Sequence, residues 1–377
     1  MKNSEERAGK MEENKGTQPQ SKFQQFLKRK NIEISTQRYA IEGFGAMAQG
    51  LFASLLIGTI FNTIGTQTGW EIFNTIGGFA MAGTGAAMAI SIAMALKAPP
   101  FVIFAMAGIG LATNKLGGAG GPLAVYFITV FATEAGKIVS KETKIDLIVT
   151  PGVTLIVGIL LALWWAPPIG AAASKIGDLI MWATNLQPFM MGVLVSVIVG
   201  ITLTLPISSA AICAALSLVG LAGGAAVAGC CAHMVGFAVM SYPENKFGGL
   251  MAQGIGTSML QVPNLVRNPY CWLPPVIASA ITGPLATCIF NLKMNGAAIS
   301  SGMGTSGLVG PIGVISGWFA PVAKAVEMGE SVIVPTPMDW WGVALICFIL
   351  PALLTWLIAI PFRRSGLIKF GDLKIDC

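Results

Sequence analysis

Residues 145–166 read IDLIVTPGVTLIVGILLALWWA, 22 residues in which Asp146 is the only charge. A helical run of about 20 apolar residues crosses the roughly 30 Å hydrocarbon core of a bilayer. Seven further stretches read the same way: 40–64, 76–96, 122–139, 188–205, 222–240, 272–292 and 340–360. The whole composition agrees with them. Apolar residues make up 54% of the 377 and charged residues 11%, against about 25% charged in soluble domains. The first 38 and last 15 residues carry 13 of the 23 Lys and Arg, so the interior of the chain is nearly uncharged.

Four apolar pieces, 101–113, 207–221, 247–262 and 302–319, are short or broken by glycine, as re-entrant or discontinuous helices are. Between them, 169–186 sets Ile169, Ala173, Ile176, Ile180 and Ala183 at helical spacing opposite Lys175 and Asp178, which predicts a helix lying in the interface. The fold expected is all-α, a polytopic transmembrane helical bundle of about ten crossings (eight to twelve), with re-entrant or discontinuous helices. Residues 1–38 are expected to be a mostly disordered tail, with 23–34 able to form a short surface helix. Residues 39–364 form one membrane domain, and 365–377 a second tail. Basic residues crowd both tails and the loop holding Lys137, Lys141 and Lys144, which places both ends on the cytoplasmic side.

Several function classes fall away. The net charge of +6 comes from basic residues flanking apolar spans, so no nucleic-acid partner is expected. The partners expected are the lipid bilayer and a small molecule. The seven cysteines show no CxxC spacing, and Cys230 and Cys231 point about 100° apart on a helix, so no metal is expected. No phosphate-binding GxxxxGK[ST] loop is present and no cofactor is called for.

An internal repeat is suggested by two matches in the same order. GAMAQGLFASLL at 45–56 and GLMAQGIGTSML at 249–260 agree at seven of twelve positions. GGAGGPLAV at 117–125 and SGLVGPIGV at 306–314 share G-x-x-G-P-[LI]-x-V. Offsets of 204 and 189 residues are what a diverged duplication with different loops would give, with units at 40–168 and 247–361.

Broken helices at membrane depth leave amides and carbonyls that must find partners, so they mark cavities. The candidates are ATNKLGGAGGP at 112–122, with Asn114, and NGAAISSGMGTSGLVGP at 295–311, with Thr305 and Ser306. The alternative is that the glycines only let helices pack closely. Polar groups within spans come next: Gln49, Asn62, Glu134, His233, Gln253, Asn264 and Asn291. Gln49 and Gln253 occupy matched repeat positions and serve either a hydroxyl-bearing ligand or neighbouring helices. Glu134 accepts sugar hydroxyls, carries a proton, or pairs with Lys137 one turn away. His233, the only histidine, is a ligand residue or a hydrogen-bonded packing residue.

At KETKIDLIVTPGVTLIVG (141–158), AMAQGLFASLLIGTI (46–60) and SGMGTSGLVGPIG (301–313) the chain resembles the membrane (IIC) subunits of bacterial phosphotransferase systems, and among them the perfringolysin O regulator-like branch. The similarity spans 39–364. It implies a sugar or related small polar metabolite as substrate, translocation coupled to phosphorylation by a separate cytosolic IIB protein, a homodimer, and the bacterial cytoplasmic membrane. The chain departs from complete permeases in showing no fused IIA or IIB domain and no clear Glu- and His-containing sugar motif, which puts phosphorylation in question. A transporter and a membrane-embedded ligand sensor are therefore the two functions expected.

Overall fold

The computed structural model describes residues 22–375. The expectation of disorder for 1–21 lies outside the described residues. Within 22–38, a helix, α1, spans Lys22–Arg29, the surface helix the KFQQFLKR pattern allows. No strand occurs among the described residues, and helices account for nearly all of the membrane domain.

Four antiparallel legs open that domain. Helix α2 (Gln37–Thr68) runs down, and α3 (Glu71–Ala82) and α4 (Thr84–Ala95), bent by 50° at Gly83, run back beside it. Arg38 at the head of α2 donates to Leu96 O at the foot of α4, 2.6 Å away, fixing the register of the pair. Helix α5 (Pro100–Gly117) and helix α6 (Gly121–Val139) then form a hairpin. A Cβ on Gly136 would touch Val102, and Thr133 reaches Met106 Sδ at 3.9 Å, contacts only an antiparallel pair makes. Proline in the first turn starts both legs, where a missing N–H costs nothing. The helices approach to backbone contact: a Cβ on Gly85 would lie 2.3 Å from Gly110 O. Dispersion across such small-residue seams, rather than a hydrophobic effect, binds helices inside lipid.

Helix α7 (Asp146–Thr184) departs from expectation. It runs unbroken for 39 residues through Pro167 and Pro168, where a stop was predicted. At 1.5 Å per residue it is about 58 Å long, roughly twice a bilayer core. Proline removes one donor but keeps a helical φ, and consecutive prolines need not end a helix whose flanks are strongly helical. The predicted stripe survives the change: Ala173, Ile180 and Ala183 are buried while Lys175 and Asp178 face outward.

The second half is built around α10 (Gly220–Met240), whose apolar window is 89% buried. A helix apolar on every side needs neighbours on every side. Those neighbours are α8 (Pro188–Thr204), α13 (Pro269–Ile289) and α15 (Pro337–Arg364). The short helices α9 (Ser209–Ala215), α11 (Tyr242–Met251), α12 (Val262–Arg267) and α14 (Val309–Phe319) fill the gaps between them.

Among the described residues, six helices are long and apolar enough to cross a membrane, or seven with α3 and α4 taken as one bent pass. The 40-residue stretch Pro100–Val139 counted among the six is the α5–α6 hairpin. The expected ten therefore depend on its two legs and on the shorter apolar helices Pro188–Thr204 and Ser306–Phe319. Gln37 and Ile375 line one pocket, so the head of α2 and the segment after α15 meet at the same face.

Candidate functional site

The two glycine-rich breaks are real interruptions, each with a positive-φ glycine and a 3₁₀ turn ahead of a helix, although ψ is −122° at Gly118 and 19° at Gly307. Gly118 (φ 50°) follows α5 and opens a short 3₁₀ turn before α6; Gly307 (φ 51°) sits in the same kind of turn before α14. These are matched positions of G-x-x-G-P, and a positive φ is a conformation glycine takes without Cβ strain. In the second break the chain stays left-handed at Leu308 (φ 60°). The other matched pair, around Met-Ala-Gln-Gly, contains or precedes π-helical turns at Phe52–Leu56 and Ala252–Gly256. Such turns leave backbone groups out of the regular ladder and recur at functional sites.

Both breaks reach one place. The loop before α9 ties them together: Ser208 N donates to Ala119 O in the first break at 2.9 Å, and Ser209 Oγ donates to Gly302 O in the second at 2.7 Å. Beside that bridge lies a cavity of about 60 Å³. Pro122 reaches it from the first break, Met303 and Ser306 from the second, Ser208 and Ser209 from the loop, and Thr257 from the end of α11's π turn. Leu51, Leu56 and Met259 close it. The buried Ser306 hydroxyl has no protein partner, a condition that normally signals water or ligand. No charged side chain lines the cavity; its polar groups are hydroxyls. It therefore suits an uncharged hydrogen-bonding molecule. At about 30 Å³ per water it holds only about two waters, too little room for a sugar in this conformation.

A second space lies above it along α2. Gln37, Glu42 and Gln49 on α2, Asn264 and Arg267 on α12, and Lys374 line a vestibule of about 360 Å³ at the face where the head of α2 meets the segment after α15. That volume is within the range of about 300–1,000 Å³ usual for small-molecule sites. Buried Leu51, Met259 and Leu260 separate the vestibule from the cavity.

The remaining candidates fall into distinct surroundings. Gln253 is fully buried, donates to Ser241 Oγ at 2.8 Å and accepts from Gln261 Nε2 at 2.8 Å; Asn264 donates to Gln261 Oε1 at 2.7 Å. Thus one matched glutamine lines the vestibule and the other lies in a buried amide row beneath it. Thr305 is buried against Met234 Sδ at 3.6 Å. Asn114 stands under the first break, where a Cβ on Gly121 would meet its Oδ1 at 2.6 Å. His233 is buried behind the cavity: its Nδ1 is 2.8 Å from Thr204 Oγ1, which is 2.9 Å from Ser258 Oγ, and its Nε2 has no protein partner. Glu134 receives Lys137 Nζ at 3.1 Å from each carboxylate oxygen, and the same ammonium donates to Asn31 O at 3.0 Å. This pair stands by the N-terminal segment, away from the cavity. Asn291 is exposed with φ 45°.

Sequence reasoning passed over Ser208, Ser209, Thr257 and Gln261. The signal was present, since all four lie within the pieces 207–221 and 247–262 recognised as short or broken by glycine. Gln261 directly follows the 249–260 match, and Ile57 stands at the equivalent position after 45–56.

Residues 41–375 match a family model described as Phosphotransferase system, EIIC. No curated protein and no solved structure matches the chain.

Proposed function

The chain belongs to the phosphotransferase system EIIC family, and from that premise we propose that it is a permease for a sugar or related small uncharged polar metabolite, with the cavity between the two glycine breaks as its substrate position. One observation carries this reading: four interrupted helices bring backbone and hydroxyl groups to a single uncharged cavity, with the buried Ser306 hydroxyl unpartnered. Irregular backbone at membrane depth is tolerated only where it is buried in protein or lines such a space.

In this reading the vestibule is the cytoplasmic approach and the leucine–methionine layer the closed gate. Lys97, Lys137, Lys141, Arg363 and Lys374 gather at the vestibule's face, and positive residues favour the inner side of a bacterial cytoplasmic membrane. A cytosolic IIB protein would meet the substrate there to phosphorylate it. The matched turns at Gly118 and Gly307 support a duplicated origin for 40–168 and 247–361. In that case alternating access moves one unit against the other, as in other repeat-built transporters.

The test is ligand binding followed by flux. Ligands that bind the folded protein raise its melting temperature, so a panel of sugars, nucleosides and organic anions is screened in detergent, and hits are assayed for uptake into proteoliposomes. A sugar hit lost in Ala210→Phe, which fills the cavity, and weakened in Ser306→Ala supports the site. Retention of binding and flux in both variants overturns it. Saturable binding without any flux favours a sensor over a permease.

A further inference from the structure

The amide row beneath the vestibule does not end in protein helices; it ends on the main chain of residues 373–375. Gln261 Nε2 and Asn245 Nδ2 both donate to Leu373 O, at 3.0 and 2.8 Å. Asn264 Nδ2 donates to Lys374 O at 2.8 Å, and Asn245 Oδ1 accepts from Ile375 N at 2.9 Å. Every one of these contacts is a side-chain amide reading backbone. Nothing in them depends on which residue the backbone belongs to, so the row is a general hydrogen-bonding site whose present occupant is this segment.

The occupant has the form of a strap. It leaves α15 at Gly366 (φ 76°) and turns at Gly371 (φ 99°), and an added Cβ at either glycine would meet nothing within 4 Å. Two apolar residues, Ile368 and Leu373, fasten it into the cluster of Phe237, Met240 and Leu265. Beyond them, Lys374 and Ile375 lie across the vestibule as part of its wall. Removing the strap would free one N–H on each of Gln261, Asn264 and Asn245, with Asn264 on the vestibule wall and Gln261 next to it in the amide row. Unpaired buried donors are costly, so whatever enters in place of the strap must offer several acceptor oxygens. A polyhydroxyl molecule does.

We propose that residues 366–375 are a strap closing the vestibule, and that its release uncovers Gln261, Asn264 and Asn245 as a subsite for an uncharged polyhydroxyl ligand. The subsite rests on the permease reading; the strap does not.

Accessibility tests the strap by itself. In full-length protein with Cys288 and Cys377 replaced by serine, Ala46→Cys puts a thiol on the vestibule wall. Its labelling by a membrane-impermeant maleimide is timed with the strap intact, with Asn245→Ala, and with residues 367–377 removed. Asn245→Ala should speed labelling about three- to tenfold, the scale of one or two lost hydrogen bonds, and removal should speed it further. If removal leaves too little folded protein, Ile375→Ser, which disturbs only the strap's end, should move the rate in the same direction. Equal rates in Asn245→Ala and Ile375→Ser overturn the strap. Sorbitol and maltose are the probes for the subsite: they should slow labelling in the released variants and not in the intact chain. Fast labelling that neither probe slows keeps the strap and overturns the subsite, and uptake assays then judge the permease reading independently.

Discussion

Gly302→Ala is the sharpest probe of the bridge between the two breaks. Gly302 has no positive φ, so alanine fits its backbone conformation and the effect is steric. The new Cβ would lie 2.5 Å from Ser209 O, 2.6 Å from Ser209 C and 2.8 Å from Ala210 N, all backbone atoms that no rotamer change can move. Ordinary contact begins near 3.4 Å, so the segments must part by about 0.9 Å. The 2.7 Å bond from Ser209 Oγ to Gly302 O then stretches past about 3.5 Å and is lost. Overpacking of this kind costs about 1–3 kcal/mol, and the lost hydrogen bond about 0.5–1.5 kcal/mol. The variant should be about 2–4 kcal/mol less stable and should lose the ligand-induced rise in melting temperature, because the displaced atoms line the cavity. Gly78→Ala is the matched control: its Cβ meets nothing within 4 Å, and helix propensity alone favours it by about 0.5–1 kcal/mol. Thermal unfolding of both variants in one detergent, with and without ligand, reads the difference. Equal melting temperatures with ligand response intact would refute the bridge as the element that shapes the site.

Three further outcomes follow from the surroundings of single residues. Gln253→Leu should destabilise by about 1–3 kcal/mol, since it strands the Ser241 hydroxyl and the Gln261 amide in a buried row; Gln49→Ala, on the vestibule wall, should melt close to wild type, and thermal unfolding compares the two. Ser306→Ala should leave the melting temperature unchanged, because its hydroxyl has no protein partner, while raising the Kd of any cavity ligand about five- to tenfold, as one hydrogen bond would, measured by titration calorimetry. The Lys30 ammonium, followed by burial acting the other way and then Arg29, holds the Glu142 carboxyl below its usual range. A depressed acid stabilises above its unfolded pKa and loses that contribution as pH falls through the folded one. Docking of α1 on the 140–142 loop should therefore weaken below about pH 4.5 and, in Glu142→Gln, at neutral pH as well, seen as faster proteolysis at 28–30 with the membrane domain intact.

How much of this was legible in the sequence divides by the range of the interactions involved. Spans were legible because length and apolarity are local properties that the bilayer imposes directly, as 145–166 shows. Breaks were legible for a similar reason: G-x-x-G-P announces a turn and a helix start within five residues, and both turns form where it occurs. The run through Pro167 and Pro168 was misread because proline's effect depends on whether the flanking helix is stable enough to bear a missing bond. Side-chain roles were least legible. Gln49 and Gln253 sit in the same tetrapeptide, yet the helix after Gln49 continues to Thr68 while the helix after Gln253 ends at Thr257. That ending turns the chain back through Gln261 and Asn264 and gives Gln253 a partner in Gln261, whose equivalent position after 45–56 holds Ile57.

The same difference between the two Met-Ala-Gln-Gly segments bears on the gate proposed above. With α2 unbroken, its polar face from Gln37 to Gln49, π-helical over Gln37–Gly43, lines the vestibule along its whole length. In the second unit the interruption at Thr257 frees backbone and amide groups that lipid cannot satisfy. Those groups can be met by the strap, by the cavity's contents, or by both in turn. On the permease reading proposed above, an unbroken helix opposite a segment whose hydrogen bonds can be exchanged would put the moving part on the 257–264 side of the vestibule. Disulfide or bifunctional crosslinks that pin Leu260 to Gln49 should therefore stop flux, whereas crosslinks between α2 and α4 at positions that are not glycine should leave it running.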